Sequence, residues 1–258
     1  MLPMAARSAF LLVSLACGSA KVPPAPTESP NALTSSDIDV GVLPSVGLAA
    51  THPADVGQKF RLFGHSKPDS NAASLAELSE REFGLAGTPR AVMLTSAWSS
   101  PYESYDSLIV DRTSLRPIEE TVTSRRARYH YVYSGAHVMG TVTTDSSSEQ
   151  IDRSFPETVF AFNEVEILVR SLRYRAGSTF VVPLFSEGDR AVEYDTLRVV
   201  SRSMSDDGRL VWTVDFADPV ITTRYRVEAN ARVLVDAETR QRKSGVTFRL
   251  VREAKVGQ

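Results

Sequence analysis

The feature that most limits how this chain can fold is a series of short β-prone segments that begins near residue 89 and continues to the C-terminal region. These segments are rich in Val, Ile, Thr and aromatic residues, and Gly, Pro, Asp or Ser residues separate them. Several alternate apolar with polar residues, as antiparallel strands with one solvated face do. We therefore predict about ten strands. The predicted strands span residues 91–95, 107–111, 118–123, 129–133, 138–142, 179–185, 192–200, 210–216, 220–227, 232–235 and 246–251.

Two segments have apolar residues at helical rather than strand spacing. Ser74 to Phe83 predicts a short helix that ends at Gly84. A second helix is predicted where Asn163, followed three residues later by Glu166, suits an N-terminal cap. The apolar stripe of this second helix comprises Phe162, Val165, Leu168, Val169 and Leu172. The predicted fold class is mainly β (α+β): a strongly curved antiparallel sheet or incomplete β-barrel covered by one or two helices.

The N-terminal residues are typical of an export signal. Arg7 precedes a short apolar run, Ala9 to Val13, and small residues follow it. The run is too short to cross a bilayer, which takes roughly 20 apolar residues. We predict a signal peptide over residues 1–20, a flexible Pro- and Ser-rich linker over 21–45, and one β-rich domain over 46–258.

The only cysteine, Cys17, lies at the end of this signal. Ser14-Leu15-Ala16-Cys17 resembles the lipobox of bacterial lipoproteins, although that motif usually has a large aliphatic residue where Ser14 stands. The resemblance implies lipidation of Cys17 and attachment to a membrane. Gly18 after the cysteine implies an outer-membrane lipoprotein that faces the periplasm. The alternative is ordinary cleavage after Ala20, which removes Cys17 and leaves a periplasmic or secreted protein.

Composition excludes several classes of function. The formal net charge of −2 and the pI of about 6.1 give no basic surface for nucleic acid. A single cysteine forms no intramolecular disulfide, so the fold depends on packing. We find no phosphate loop, dinucleotide fingerprint or nucleophile elbow, and we predict no cofactor.

The titratable residues do not form a recognisable catalytic or metal-binding pattern. The four histidines lack metal-ligand spacing, and His130 and His137 approach each other across a predicted hairpin without a third ligand. Glu119 and Glu120 lie on opposite faces of a strand, so they do not form an acid–base pair. We predict neither a metal site nor an enzyme. A hydrolase with an unrecognised active site remains the weakest alternative.

Several short motifs carry a resemblance to a protein family. Residues 105–117 contain Asp-Arg-x-x-Leu-x-Pro after a strand. An aromatic-rich stretch at 159–162 introduces the helix, and a late strand contains Val211-Trp212-Thr213 before the ending at 235–240. Over roughly residues 90 to 252 the chain resembles exported bacterial proteins of unknown function. That family is similar in fold to lipoprotein-sorting carriers of the bacterial envelope, which implies an incomplete β-barrel with an apolar cavity for acyl chains.

Candidate ligand-binding residues follow from the aromatic and apolar stripes. Tyr129, Tyr131 and Tyr133 lie on one face of a predicted strand, where they line a cavity or form a packing ladder. The helix stripe and Trp212 complete the candidate set, although core packing is the simpler role for both. The Asp111 to Pro117 motif has a structural interpretation, in which Asp111 fixes a turn and Leu115 packs on the sheet.

Two functional hypotheses remain. The first is a non-catalytic envelope lipoprotein that binds a lipid or another apolar ligand in a half-barrel cavity. The second is an envelope scaffold or assembly factor that binds a partner protein through its surface or exposed strands.

Overall fold

The computed structural model describes residues 31–39, 58–64, 74–85, 88–186 and 190–253, and these residues form sixteen strands of one sheet and one short α-helix. The strands are β1 (Asn31–Ala32), β2 (Gln58–Phe63), β3 (Ala76–Leu85), β4 (Thr88–Trp98), β5 (Ser104–Asp111), β6 (Pro117–Ser124), β7 (Ala127–Ser134), β8 (His137–Thr144), β9 (Ser148–Ser154), β10 (Phe160–Ala161), β11 (Thr179–Ser186), β12 (Ala191–Met204), β13 (Leu210–Ala217), β14 (Ile221–Glu228), β15 (Leu234–Gln241) and β16 (Thr247–Arg252). The helix is α1 (Val165–Ser171), and 3-10 turns cover Ser35–Asp37 and Phe162–Glu164.

The sheet is an antiparallel meander in which most spatial neighbours are also neighbours in sequence. Its order is β1-β11-β12-β13-β14-β15-β16-β2-β3-β4-β5-β6-β7-β8-β9, and β10 pairs with β11 beside β1. The sheet is open and curled. Every strand predicted from the sequence lies within or overlaps an observed strand, and the predicted fold class is confirmed.

The curl brings strands from near opposite ends of this order into contact. Phe185 on β11 packs edge-on against Tyr131 on β7, with 5.1 Å between the ring centroids. Arg190, just before β12, donates a 2.5 Å hydrogen bond to Oε1 of Glu149 on β9. Side chains rather than backbone hydrogen bonds therefore close this side of the barrel.

Part of the predicted linker belongs to the folded domain. Within the range 21–45, β1 pairs in parallel with β11, and Ile38 forms an isolated bridge with Leu172. Leu33 and Ile38 are both buried in the core. The ordered domain thus includes residues that precede the predicted boundary at residue 46, because two apolar side chains in a polar segment find core contacts.

The helix predicted over Ser74 to Phe83 is wrong, because this segment forms most of β3. Ala76 and Leu78 are buried while Glu77 between them is exposed, which is the alternation of a strand. Pairing with β2 and β4 on both sides outweighs the helix propensity of its Ala, Leu and Glu residues.

Helix α1 confirms the second predicted helix but not its predicted cap. The carboxylate of Glu164, rather than Glu166, accepts a 3.1 Å hydrogen bond from the backbone N–H of Ala161. Asn163 instead donates from its side chain to Glu120 on β6. The predicted stripe is largely buried, with only Phe162 partly exposed. In the described ranges, no helix is sufficiently long and apolar to cross a bilayer.

The structural interpretation of the Asp111 to Pro117 motif is confirmed. Oδ1 of Asp111 accepts 2.9 Å hydrogen bonds from the backbone N–H groups of Thr113 and Ser114. Leu115 adopts a left-handed conformation with a φ of 54° and buries its side chain completely. Pro117 then begins β6. The motif therefore builds a tight connection between two strands rather than a binding site.

Candidate functional site

Helix α1 lies against the buried face of the curled sheet, which we term the inner face. Phe162 contacts Phe216 on β13 with 6.1 Å between ring centroids. Val165, Leu168, Val169 and Leu172 are all buried in the same core cluster as the inner face of the sheet. One short helix thus covers the concave side of a much larger sheet.

The three tyrosines singled out from the sequence lie together on the inner face of β7. Tyr129, Tyr131 and Tyr133 are all buried, and Tyr131 has no exposed surface. Phe185 on β11 packs nearly perpendicular to Tyr131 and to Tyr133, at 5.1 Å and 6.1 Å between centroids. This aromatic ladder faces the interior and joins two distant parts of the sheet.

A buried carboxylate, Glu120 on β6, links this ladder to the helix. Its Oε2 accepts a 2.5 Å hydrogen bond from the hydroxyl of Tyr133. Its Oε1 accepts a 3.0 Å hydrogen bond from the side-chain amide of Asn163, in the turn that precedes α1. Glu120 is completely buried, whereas Glu119 points outward to His130, as the strand geometry predicts.

Two further carboxyl groups surround Glu120. Asp106 on β5 is 4% exposed and Glu164 is 0% exposed. Burial raises the pKa of Asp106 to about 7, and the negative charge of Glu120 contributes to this shift. Burial also raises the pKa of Glu164 well above its ordinary value. We term Asp106, Glu120 and Glu164 the carboxyl cluster.

Two oxygens of the carboxyl cluster have no hydrogen-bond partner among the residues that the structure describes. They are Oδ1 of Asp106 and Oε1 of Glu164. The other oxygen of each group is bonded: Oδ2 of Asp106 accepts from Ser96 at 3.2 Å, and Oε2 of Glu164 accepts from the Ala161 N–H. An unpaired buried oxygen is costly, so this cluster is a polar and incompletely satisfied part of the inner face.

Arg116 supplies a positive charge beside this region. Its guanidinium lies 3.9 Å from the centre of the Phe160 ring and donates a 3.0 Å hydrogen bond to the carbonyl of Thr158. Its positive charge favours the ionised form of Glu164, while burial lowers the pKa of Arg116 itself. The arginine therefore holds the chain that leads into α1 against the start of β6.

A second pair of carboxyl groups joins the other side of α1 to the sheet. Glu166 on the helix lies close to Glu80 on β3, and burial raises the pKa of both carboxyl groups. Arg170, one helical turn later, approaches Glu166 at 3.5 Å and favours ionisation of Glu80.

Arg232 holds the C-terminal end of α1. Its guanidinium donates a 2.7 Å hydrogen bond to the carbonyl of Leu172 and lies 4.2 Å from the centre of the Tyr174 ring. A cation at this end of a helix also complements the helix dipole. Trp212, a predicted ligand-binding residue, is partly buried and packs on Tyr174 at 5.2 Å, so it lies beside the helix exit rather than with the tyrosine ladder.

The sequence analysis did not identify the buried carboxyl groups. The sequence marks such a group where an acidic residue takes a position that the strand alternation assigns to the interior. Asp106 is an example, because it shares its face of β5 with Leu108 and Val110. The two histidines within the described ranges pair with other residues: His130 with Glu119 at 2.9 Å and His137 with Asp152 at 2.6 Å. Across the described ranges, no group of three or more His, Cys, Asp or Glu residues has a geometry that could hold a metal ion. Cys17 and the predicted signal lie outside the described residues.

Comparison with known proteins places this architecture in a wider group. Residues 81–205 match the family model described as a protein of unknown function, DUF3108. The match covers slightly less than half of the chain, including the tyrosine ladder, the carboxyl cluster and α1. It agrees with the resemblance to a family of unknown function that the sequence motifs indicate.

A solved structure shares the fold. The crystal structure of a β-barrel-like protein of the domain of unknown function DUF1849 from Brucella abortus aligns with a TM-score of 0.50 and 11% sequence identity. The alignment covers 76% of this chain and 96% of that protein. At this identity the likeness concerns the fold alone. No curated protein matches the sequence.

Proposed function

We propose that this chain is a non-catalytic envelope lipoprotein that binds a lipid or a similar apolar ligand between the inner face of its sheet and helix α1. The observation that carries the proposal is the contrast between the surface of helix α1 and the inner face of the sheet that it packs against. The helix presents the apolar residues Val165, Leu168 and Val169, while the opposed sheet presents an aromatic ladder and the unsatisfied Oδ1 of Asp106. An amphiphile has the same two parts, an apolar chain and a polar head.

Ligand binding requires α1 to move away from the sheet, because side chains of the protein fill the described interior. The helix is short, and polar contacts hold it at Asn163, at Glu166 and at its C-terminal end. Moving the helix also exposes its buried apolar stripe, so the ligand has to replace those apolar contacts as well. Burial of an acyl chain in place of the helix stripe would contribute about 25 cal/mol per Å² of apolar surface.

The carboxyl cluster would receive the polar head of the ligand. Burial raises the pKa of both Asp106 and Glu164, and the pKa of about 7 for Asp106 means that this group holds a proton over part of the neutral pH range and can act as hydrogen-bond donor or acceptor. A hydroxyl or amide head would satisfy Oδ1 of Asp106 and Oε1 of Glu164. A bare anionic head would meet a site that already contains three carboxyl groups, so we expect neutral amphiphiles to bind better.

A brominated fatty alcohol tests this proposal, because bromine quenches tryptophan fluorescence only at short range. Trp98 is buried in the core and Trp212 packs beside the helix exit, so a ligand in the interior quenches both. We expect saturable quenching of the purified protein, together with extractable lipid detected by mass spectrometry. Absence of both would overturn the proposal.

A matched pair of variants separates the interior from the surface. Val169→Phe adds volume on the buried side of α1, and Val132→Phe adds the same group on the exposed side of β7. We expect quenching to be lost in V169F and retained in V132F, with both variants folded by circular dichroism. Equal quenching in both variants would place the ligand on the outer surface instead.

The membrane anchor is a separate part of the proposal and rests on Cys17 and its surrounding sequence. Lipidation would hold the domain at the outer membrane, facing the periplasm. Expression of the full chain in a Gram-negative host, followed by intact-mass measurement, tests it. We expect a mature N-terminus at Cys17 that carries acyl mass and is absent from Cys17→Ala. An unlipidated product that begins at Lys21 would contradict the anchor without affecting ligand binding.

The alternative function is that of an envelope scaffold that binds a partner protein. The observation that favours it is an open sheet edge at β9, the last strand of the sheet order. Reproducible co-purification of one partner, without extractable lipid, would support the scaffold over the lipid-binding protein.

A further inference from the structure

The two edges of the sheet differ in how they are covered. At one edge, the short parallel strands β1 and β10 pair with β11 and satisfy part of its free backbone. At the other edge, β9 pairs only with β8 in the described part of the chain. Six of its seven residues are exposed, and only Ile151 is buried. The Arg190 side chain reaches Glu149 on this strand, but no described strand pairs with its outer backbone, and a strand edge of this length is a template for pairing with another strand.

The hydrogen bonds at the two ends of the β8–β9 pair show which backbone groups remain free. The N–H of Thr144 bonds to the carbonyl of Ser147, and the N–H of Phe155 bonds to the carbonyl of Ala136. Antiparallel pairs alternate between bonded and non-bonded positions, so residues 149, 151 and 153 also bond to β8. The N–H and carbonyl groups of Ser148, Gln150, Asp152 and Ser154 therefore point outward from the sheet.

This edge is complementary to a second copy of itself. An antiparallel pairing centred on Ile151 aligns Gln150 with Asp152 of the other copy, and both residues have outward-pointing backbone groups. The same pairing aligns Glu149 with Arg153 of the other copy, twice by symmetry. These two residues take non-bonded positions, where opposed side chains approach most closely.

We infer that two copies of this chain associate through β9, with Ile151 on the two-fold axis and two Glu149–Arg153 ion pairs across it. The inference goes beyond the proposed function and does not depend on ligand binding. Only the register centred on Ile151 overlaps all seven residues of both copies. In that register Glu149 faces Arg153, and this match of opposite charges favours a second copy over an unrelated strand. Glu149 already accepts from Arg190, but its side chain remains about half exposed and can bind a second guanidinium.

Charge reversal tests the pairing. The full chain with Cys17→Ser, which removes the proposed anchor, is compared with the same chain carrying Glu149→Arg, Arg153→Glu or both. We expect a dimer in sedimentation experiments, a dimer dissociation constant raised about tenfold or more in each single variant, and recovery of the parent value in the double variant. Arg190→Gln serves as a control that removes the intramolecular partner of Glu149 and should leave the dimer intact.

Cysteine cross-linking gives an independent measurement of the register. In the Cys17→Ser background, Ile151→Cys should form a disulfide-linked dimer on mild oxidation, because the two residues meet on the axis. Met139→Cys on β8 is exposed but lies one strand away from the edge, and it should not cross-link. A monomeric parent chain, or a double charge variant that stays as weak as the single variants, would overturn the inference.

Discussion

The hydroxyl of Tyr133 donates a 2.5 Å hydrogen bond to Oε2 of Glu120, and both side chains are buried on the inner face of the sheet. The two residues lie on the neighbouring strands β6 and β7, and the other oxygen of Glu120 bonds to Asn163 before α1. This one carboxylate therefore connects the tyrosine ladder, the sheet and the helix. Loss of either donor removes a hydrogen bond that offsets the burial of this carboxyl group.

Tyr133→Phe should lower the free energy of unfolding by about 1–3 kcal/mol, because it removes a donor and leaves Oε2 of Glu120 buried. Urea unfolding at neutral pH measures the change. Tyr105→Phe is the matched control, since Tyr105 is exposed on β5 and its change should be within about 0.5 kcal/mol. Equal effects of the two substitutions would show that the buried hydrogen bond is not needed for stability.

Asp106 should make the protein less stable as the pH rises through the neutral range. Its pKa is raised to about 7 from an ordinary value of 3.8, so between these values the folded state holds a proton that the unfolded state releases. Stability from this group is therefore present at low pH and falls as the pH rises from about 4 to about 7. Asp106→Asn should flatten this dependence and be more stable than the parent at pH 8, by on the order of 2 kcal/mol.

Urea unfolding of the parent and of Asp106→Asn across this pH range measures the effect. Asp236 acts with the opposite sign, since hydrogen bonds from Arg226 and Arg249 outweigh burial and lower its pKa. Its stabilising contribution should persist above the ordinary carboxyl range and disappear only in stronger acid. A parent chain that gains stability between pH 5 and 7, with D106N unchanged from it, would contradict the assignment.

The contact between Phe185 and Tyr131 should be a main source of barrel closure. Phe185→Ala removes a completely buried ring that meets three aromatic side chains, and we expect a loss of about 3–5 kcal/mol. A double-mutant cycle with Tyr131→Leu should give a coupling of about 0.5–1.5 kcal/mol. Met204→Ala, at an exposed position on β12, is the control and should have little effect. Additive effects of the two core substitutions would argue against direct closure.

Asp111→Ala should destabilise the fold by about 1–2 kcal/mol, because Oδ1 of Asp111 accepts from two backbone N–H groups in the turn after β5. Asp111→Asn keeps an acceptor oxygen and should recover most of that loss. Thermal unfolding of the two variants compares them directly. If Asp111→Asn and Asp111→Ala are equally unstable, the negative charge of Asp111 rather than its hydrogen bonds fixes the turn.

Much of the β architecture follows from the sequence because alternation and turn residues mark its strands. The alternation of apolar and polar residues does not reveal a strand when its core positions are polar or when most of the strand is exposed. In β3, Glu80 lies at the inward-facing position and obscures the alternation of Ala76 and Leu78. In β9 only Ile151 is buried, so an edge strand looks like a polar loop. Both strands are recognisable only through their neighbours in the sheet.

The candidate site was predictable in its apolar part alone. The tyrosine ladder and the helix stripe have clear spacing, and both are buried on the inner face. The carboxyl cluster was not predictable, because acidic residues are expected at the surface. Glu120 is accommodated inside by Tyr133 from the adjacent strand and Asn163 from a segment more than forty residues later. Such partners appear only once the chain is folded.

The docking of β1 beside β11 sets how far the domain can extend from a membrane. With an anchor at Cys17, only 13 residues lie between the lipidated cysteine and Asn31, the start of β1. Even fully extended, that stretch spans about 50 Å, roughly half the reach of a linker that continued to residue 45. The barrel would be confined to a thin layer next to its own bilayer. With such an anchor, a ligand bound for the opposite membrane would have to be passed to a second carrier.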